Sequence, residues 1–306
     1  MTLADQARAP GHIEAPESTD VADLGVARPL RADVWRRFKR NRLAMVGLGF
    51  IVLLTLVAIF APWIAPYSIT ERASGEFRDG PSADHWFGTD AIGRDVFSRV
   101  VFGARVSLRI GFLATLIALV VGLILGATAG FFGGGTDSLI MRLTDVFLSI
   151  PYIILAVSIA TVVGRSENSI ILILGLTGWL FVTRIVRASF LGLRRLEYVE
   201  AATALGFSRP RIMFRHILPN ALQPIIVYGT IAIGAVILSE AALSFVGVGP
   251  QEPIPAWGRM VADAGGGSLA SAPHMLFFPA AAICLTVLSF ILVGDGLRDS
   301  LDPKLK

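Results

Sequence analysis

The chain has 306 residues, 54% of them hydrophobic and only 16% charged, with a mean hydropathy of +0.68 and a net charge of +4. That is too apolar for an ordinary soluble domain, about a quarter of whose residues are charged, and it assigns the chain to a bilayer. With a single cysteine, Cys284, in an apolar run, a disulfide framework and a thiolate metal site are excluded.

In chain order, residues 1–35 are polar and rich in alanine, proline and acid, without a periodic apolar pattern, and are expected to form a disordered cytoplasmic tail. The first apolar run begins after about forty residues and is too long for the core of a signal peptide, so it is expected to stay as an anchor. The basic segment Trp35-Arg36-Arg37-Phe38-Lys39-Arg40-Asn41-Arg42 directly before it reads as a topology determinant, and no nucleic-acid partner is expected.

Runs free of charge mark the spans, since about 20 apolar residues cross the hydrocarbon core as a helix. They cover 43–70, 110–136, 146–164, 168–183, 217–239 and 275–294, which predicts an all-α membrane protein with six transmembrane helices. The fourth run is short, but Arg184 and Arg187 lie one turn apart and can snorkel while the helix continues to Leu193. The predicted organisation is a basic segment and first transmembrane helix at 36–70, an extracytoplasmic loop at 71–105, and a five-helix transmembrane domain at 106–306 with a cytoplasmic loop at 194–219.

Arginine sets the orientation. It is dense before the first span and in Arg194, Arg195, Arg209, Arg211 and Arg215 after the fourth, whereas 247–274 holds only Arg259. Both termini and the 194–219 loop are therefore expected on the cytoplasmic side of a cell membrane. The stretch 71–105 mixes five arginines with six acidic residues, and its outside placement follows from alternation of the other spans.

Within the spans, Ala114, Ala118, Gly122, Gly126 and Gly130 form a small-residue stripe on one helical face, suited to close packing within the subunit or, alternatively, against a paired subunit. Pro151 and Pro224 are expected to kink their helices. Asp145 is expected to pair locally with Arg142. Glu240, near the outer end of the fifth span, is read as hydrogen-bonded to loop amides, with contact to the path or to a binding protein as the sharper alternative.

Lysine occurs only at 39, 304 and 306, so no glycine-rich loop ending in Gly-Lys-Ser/Thr can cradle a nucleotide. No catalytic, cofactor or metal residues are expected: His-Glu-x-x-His and Gly-x-Ser-x-Gly are missing, and the four histidines scatter over different loops. A secondary transporter or channel is a reading from a different class, but the two halves show no matching Gly/Pro interruptions.

The charged loop between the fourth and fifth spans carries Glu200-Ala201-Ala202-Thr203-Ala204-Leu205-Gly206, with Leu218-Pro219 twelve residues beyond the glycine. It predicts a short helix, a stop at Gly206 with positive φ, and a second helix capped by Ser208, with Ala201, Ala202 and Leu205 on one apolar face. This spacing resembles the EAA motif of the permease subunits of bacterial ABC importers. Glu200, Ala201, Ala202, Gly206, Leu218 and Pro219 match, and His216 stands at the isoleucine position. The segment His85-Trp86-Phe87-Gly88-Thr89-Asp90-Ala91-Ile92-Gly93-Arg94-Asp95 and the segment from Glu240 through Gly249 to Trp257-Gly258 resemble C-type permease subunits of dipeptide, oligopeptide and nickel importers.

The resemblance, from Arg36 to the end, implies a type I importer permease that forms half of a path for di- or oligopeptides, with nickel or another small solute as the alternative. It implies a homologous B-type permease, two ATPase subunits that bind ATP and Mg, and an extracytoplasmic solute-binding protein as partners. Glu200, Ala201, Ala202, Leu205, Gly206, Leu218 and Pro219 would then couple this chain to an ATPase.

The orientation has a direct test. Single cysteines at Ser74 and Ser268, in a Cys284→Ser background, should react with an impermeant thiol reagent added outside intact cells. One at Ser208 should not, and labelling there would reverse the assignment.

Overall fold

The computed structural model describes residues 30–73, 77–265 and 270–301. Most of the predicted tail, and the test positions Ser74 and Ser268, lie outside the described residues. Among the described residues the chain is helical, with one isolated bridge between Thr89 and Asp95 instead of a sheet.

The predicted tail ends earlier than expected, because helix α1 covers Leu30–Arg40. Asp33 in its first turn and Arg37, Lys39 and Arg40 in its last suit the helix dipole. Phe38 is buried and stacks on Trp35 with ring centroids 5.8 Å apart, which seats α1 on the last helix beside Gly296. Asn41 then caps α2 (Arg42–Ile59), its Oδ1 accepting the Ala44 N–H at 3.1 Å, and a single turn, α3 (Ala61–Ile64), follows.

The second span, α4, runs Val96–Phe132 and so takes in the end of the expected 71–105 loop. Asp95 fixes its start by accepting the Ser98 N–H at 2.7 Å. The sequence reading began this span at 110 because Arg99, Arg105 and Arg109 interrupt the apolar run. In the fold, Arg99 is enclosed by ion pairs and Arg109 meets Glu167 at 3.3 Å.

Where a third span was expected at 146–164, the chain forms two helices, α5 (Gly134–Leu148) and α6 (Tyr152–Val163), bent by 88° at Ser149–Pro151. Pro151 cannot donate a backbone N–H and disfavours helical backbone in the residue before it, so the expected kink is a full break. Next come α7 (Glu167–Leu193), α8 (Glu197–Ala204), α9 (Arg209–Arg211), a π-helical turn (Ile212–Ile217) and α10 (Leu218–Phe245). Two helices complete the described chain: α11 (Trp257–Gly265) and α12 (His274–Leu301). Pro224 lies inside α10 without ending it. Among the described residues five helices are long and apolar enough to cross a membrane, or six if the bent pair counts as one span.

α5 lies along α7 and is tied to it by charge. Arg187 binds Asp137 through both carboxylate oxygens, and Arg184 Nη2 donates to Asp145 Oδ1 at 2.5 Å. Asp145 thus pairs across helices rather than with Arg142, because the 88° break turns α5 beside α7.

The small-residue stripe packs within the chain. A Cβ on Gly126 would lie 2.6 Å from the Thr183 carbonyl oxygen and 2.7 Å from Val186 Cβ, and one on Gly130 would lie 2.6 Å from Phe190 Cβ. Only glycine lets the α4 and α7 backbones come this close. Gly126→Leu is therefore expected to cost about 1–3 kcal/mol by overpacking and to lower the thermal midpoint in detergent. Gly192→Leu, where nothing lies within 4 Å, should leave it unchanged. Equal midpoints for the two variants would mean that α4 and α7 are not held at this distance.

Candidate coupling loop and outer network

Between α7 and α10 the chain leaves the bundle and returns. Arg194 Nη1 donates to the Phe131 carbonyl at 3.0 Å, tying the end of α7 to the end of α4. α8 is anchored by Val199 and Ala202, both buried with Phe190, Ile212 and Ile217 in one apolar cluster.

The stop after α8 is a Schellman turn. Phe207 N–H donates to Ala202 O at 3.1 Å and Gly206 N–H to Thr203 O at 3.0 Å, with Gly206 at φ +75°. A Cβ there would meet nothing within 4 Å, so the glycine serves backbone conformation and not space. Phe207 is held between Arg211, 4.5 Å above its ring, and His216, whose ring is 5.7 Å away. His216 thus fills the isoleucine position with a stacking contact.

Ser208 occupies the cap position of α9, but its side chain makes no capping bond. Leu218 and Pro219 follow the π turn, where Leu218 N–H reaches back five residues to Met213 O. The wider turn relieves the clash that a proline ring makes with the carbonyl four residues before it.

Ala201, Ala202 and Leu205 do not share a face. Ala202 points inward with Val199, three residues before it. Ala201 and Leu205, four residues apart, face outward beside exposed Glu200, and Leu205 is 74% exposed. A concavity of about 750 Å³ lined by Glu200, Thr203, Phe207 and Arg209 adjoins this surface.

At the opposite end, Glu240 is 1% exposed. Its Oε1 accepts the Ser244 hydroxyl at 2.6 Å, and its Oε2 faces the Gly258 backbone, where an added Cβ would lie 3.0 Å from it. Trp257 beside it is fully buried and donates from Nε1 to the Val100 carbonyl at 2.9 Å. The bond to Ser244 lies within α10, while Oε2 sits at the contact of α10 with α11 without a hydrogen-bond partner among the described residues.

The sequence reading missed a second cluster, although Asp90, Arg94 and Glu252 stand in the quoted segments. Asp90 accepts the backbone N–H of Arg94 at 2.9 Å and its Nε at 2.6 Å, while Arg94 also binds Glu252. Arg99, 2% exposed, lies 3.8 Å from Asp90 and 3.5 Å from Glu252. His85 Nδ1 meets Asp95 at 2.9 Å, and His274 Nε2 meets Thr89 O at 2.9 Å. Burial pushes the Glu252 carboxyl up, but the Arg94 and Arg99 guanidiniums outweigh it and hold it below its ordinary value. Asp263, beside Arg259 at 2.9 Å, is instead raised by burial.

With the loop and this cap in place, comparison with known proteins is informative. Residues 108–306 match the model of the binding-protein-dependent transport system inner membrane component, which is more than half of the chain. The chain belongs to that family. Residues 29–81 also match the N-terminal TM domain of oligopeptide transport permease C. A dipeptide transport system permease protein of Alkalihalophilus pseudofirmus is 44% identical over 291 residues, 95% of each chain. A glutathione transport system permease protein of Escherichia coli is 44% identical over 275 residues, 90% of each chain. A chain from inward-facing structures of the MetNI methionine ABC transporter superposes with a TM-score of 0.57 at 21% identity, covering 67% of this chain and 97% of that one. That likeness shows the fold, and this transport-system component is a multi-pass, all-helical membrane protein of the ABC importer permease type.

The Glu252 clamp has a signed pH dependence. Its folded pKa is depressed, so its stabilisation is fully present above the ordinary 4.5 and is lost as pH falls through the lowered value. Backbone hydrogen exchange in residues 88–95 should accelerate in that acid range. Glu252→Gln should exchange fast at neutral pH, and protection curves that overlay the parent's would remove the clamp.

Proposed function

We propose that this chain is the C-type subunit of an ATP-driven importer and forms half of a membrane path for di- or oligopeptides. Its partners are a B-type homologue, two ATPase subunits that bind ATP and Mg, and an extracytoplasmic solute-binding protein. The chain itself performs no catalysis and holds no cofactor. Both termini and α8 face the cytoplasm, and the network around Glu252 faces outside.

The observation that carries this reading is the α8 loop. Val199 and Ala202 bury one side of a short helix, which fixes its pose. The other side offers Glu200, small Ala201 and exposed Leu205 to a partner. A mobile loop would have to be ordered on docking, whereas this one is already held by the Schellman turn and the Phe207 contacts. Glu200 can pair with a basic group of an ATPase while Leu205 enters an apolar recess. Leu218 and Pro219 act indirectly by starting α10 at the angle set by the π turn. Glu240, enclosed by Ser244 and Gly258, sits at the contact of α10 with α11 instead of lining the path. The peptide assignment rests on the dipeptide and glutathione names of the relatives and on the oligopeptide permease match.

A deletion strain tests both halves of the reading. It should fail to grow on di- or oligopeptides as sole source of a required amino acid and should resist toxic peptide analogues. The unaltered gene should restore both phenotypes, while Gly206→Val, straining a left-handed turn by about 1–2 kcal/mol, and Glu200→Lys should insert normally yet restore neither. Loss of nickel-dependent enzyme activity with normal peptide growth would overturn the peptide assignment. Full complementation by both variants would overturn coupling through α8.

A further inference from the structure

Deep in the spans, α4, α6, α7 and α10 enclose a cavity of about 240 Å³. Its polar lining is made of hydroxyls: Thr115, Tyr152, Thr177, Tyr228 and Ser239. Thr177 and Ser239 each donate to a carbonyl four residues back at 2.8 Å, and both stand within hydrogen-bond reach of the Tyr152 hydroxyl. Thr115 differs. It is 3% exposed, and among the described residues its Oγ1 has no partner. Phe181, 56% exposed, stands at the mouth.

A buried hydroxyl without a partner is costly away from water, so the unpartnered Thr115 beside four further hydroxyl residues suits a water-filled path. No lining residue is charged, and none offers imidazole, thiolate or carboxylate, so the wall has no ligand set for a divalent metal ion. Neutral hydroxyls and aromatic rings match a different chemistry: the N–H and C=O groups of a peptide backbone, which are the same whatever the side chains. The volume falls below the range of about 300–1,000 Å³ usual for whole small-molecule ligands, which suits one amino-acid unit at a time.

We propose that this cavity is a transient backbone-binding station for the passing peptide, with the Thr115 hydroxyl bonding an amide of the substrate. The inference rests on the peptide reading above and adds the site. It also explains how a path can tolerate varied side chains, since only groups common to all peptides are held.

The test uses the complete transporter in proteoliposomes with its binding protein, following uptake of radiolabelled trialanine and binding-protein-stimulated ATP hydrolysis. Ala235→Leu projects into the cavity from an exposed position and should cut uptake at least about tenfold by steric exclusion while ATP hydrolysis stays stimulated. Thr115→Val keeps the shape and removes one hydrogen bond, so the KM for uptake should rise about fivefold. In a Cys284→Ser background, Ser239→Cys should react with a small thiol reagent during turnover, and saturating trialanine should slow that reaction. Unchanged uptake in both cavity variants, or labelling that ignores the peptide, overturns the station while leaving the permease reading standing. A parent transporter that moves no peptide overturns the peptide reading and the station with it.

Discussion

The close approach of α4 and α7 is the contact on which the rest of the structure depends. Gly122, Gly126 and Gly130 of α4 lie against Val182, Val186 and Phe190 of α7. The fit is reciprocal, because a Cβ on Gly175 of α7 would come within 2.8 Å of Ile117 and one on Gly178 within 3.0 Å of Ala118. Lipid tails are as apolar as leucine, so helices in a bilayer gain little from hiding apolar surface. They gain from dispersion over closely matched backbones. The two helices so joined carry everything else. α4 begins in the Arg94–Asp90–Glu252 network, α7 ends at the loop that carries α8, and both line the hydroxyl cavity.

Polar groups are handled by one rule along the spans. Hydroxyls donate to the carbonyl one turn back, as in Thr55, Thr128, Thr177, Thr230, Ser239, Thr286 and Ser289, and so are satisfied without a tertiary partner. Several charges toward the helix ends and in the segments before them are paired, as with Arg187 and Asp137 or Arg94 and Asp90. The buried exceptions are informative for that reason. Glu240 is answered by Ser244 at Oε1 only, and the hydroxyls of Thr115 and Thr183 have no partner among the described residues, Thr115 standing beside a cavity.

Much of this was legible in the sequence, because a bilayer imposes a simple code. Uncharged runs located the five long spans and α6, though not α5, the glycine spacing located the α4 face, and Gly206 marked the end of α8. The start of the second span was misread because charge was taken to mean water. Arg99 lies inside a helix because Asp90 and Glu252 accompany it, and those carboxylates are 9 and 153 residues away in the chain. Asp145 was given a neighbour on its own helix because nothing in its local sequence reports an 88° turn onto α7. Helical periodicity was also applied too broadly at α8. Ala201 and Ala202 are adjacent in sequence and therefore about 100° apart around the axis, so the buried and presented faces divide between them.

The same packing limits how a displacement at α8 can reach the cavity. About 24 Å of helix separates Thr177 from Leu193 at about 1.5 Å per residue, and an α-helix of that length transmits motion as a rod. Because the glycine contacts leave no slack between α4 and α7, those two walls move together. The remaining walls are held less firmly. α6 buries only Ala156 and Ala160 and joins α5 through the 88° break, while α10 enters through a π turn just after α8 and α9. A change in cavity shape therefore has to arise where α6 and α10 meet the rigid pair, which is where Tyr152, Tyr228 and Ser239 stand opposite Thr115 and Thr177.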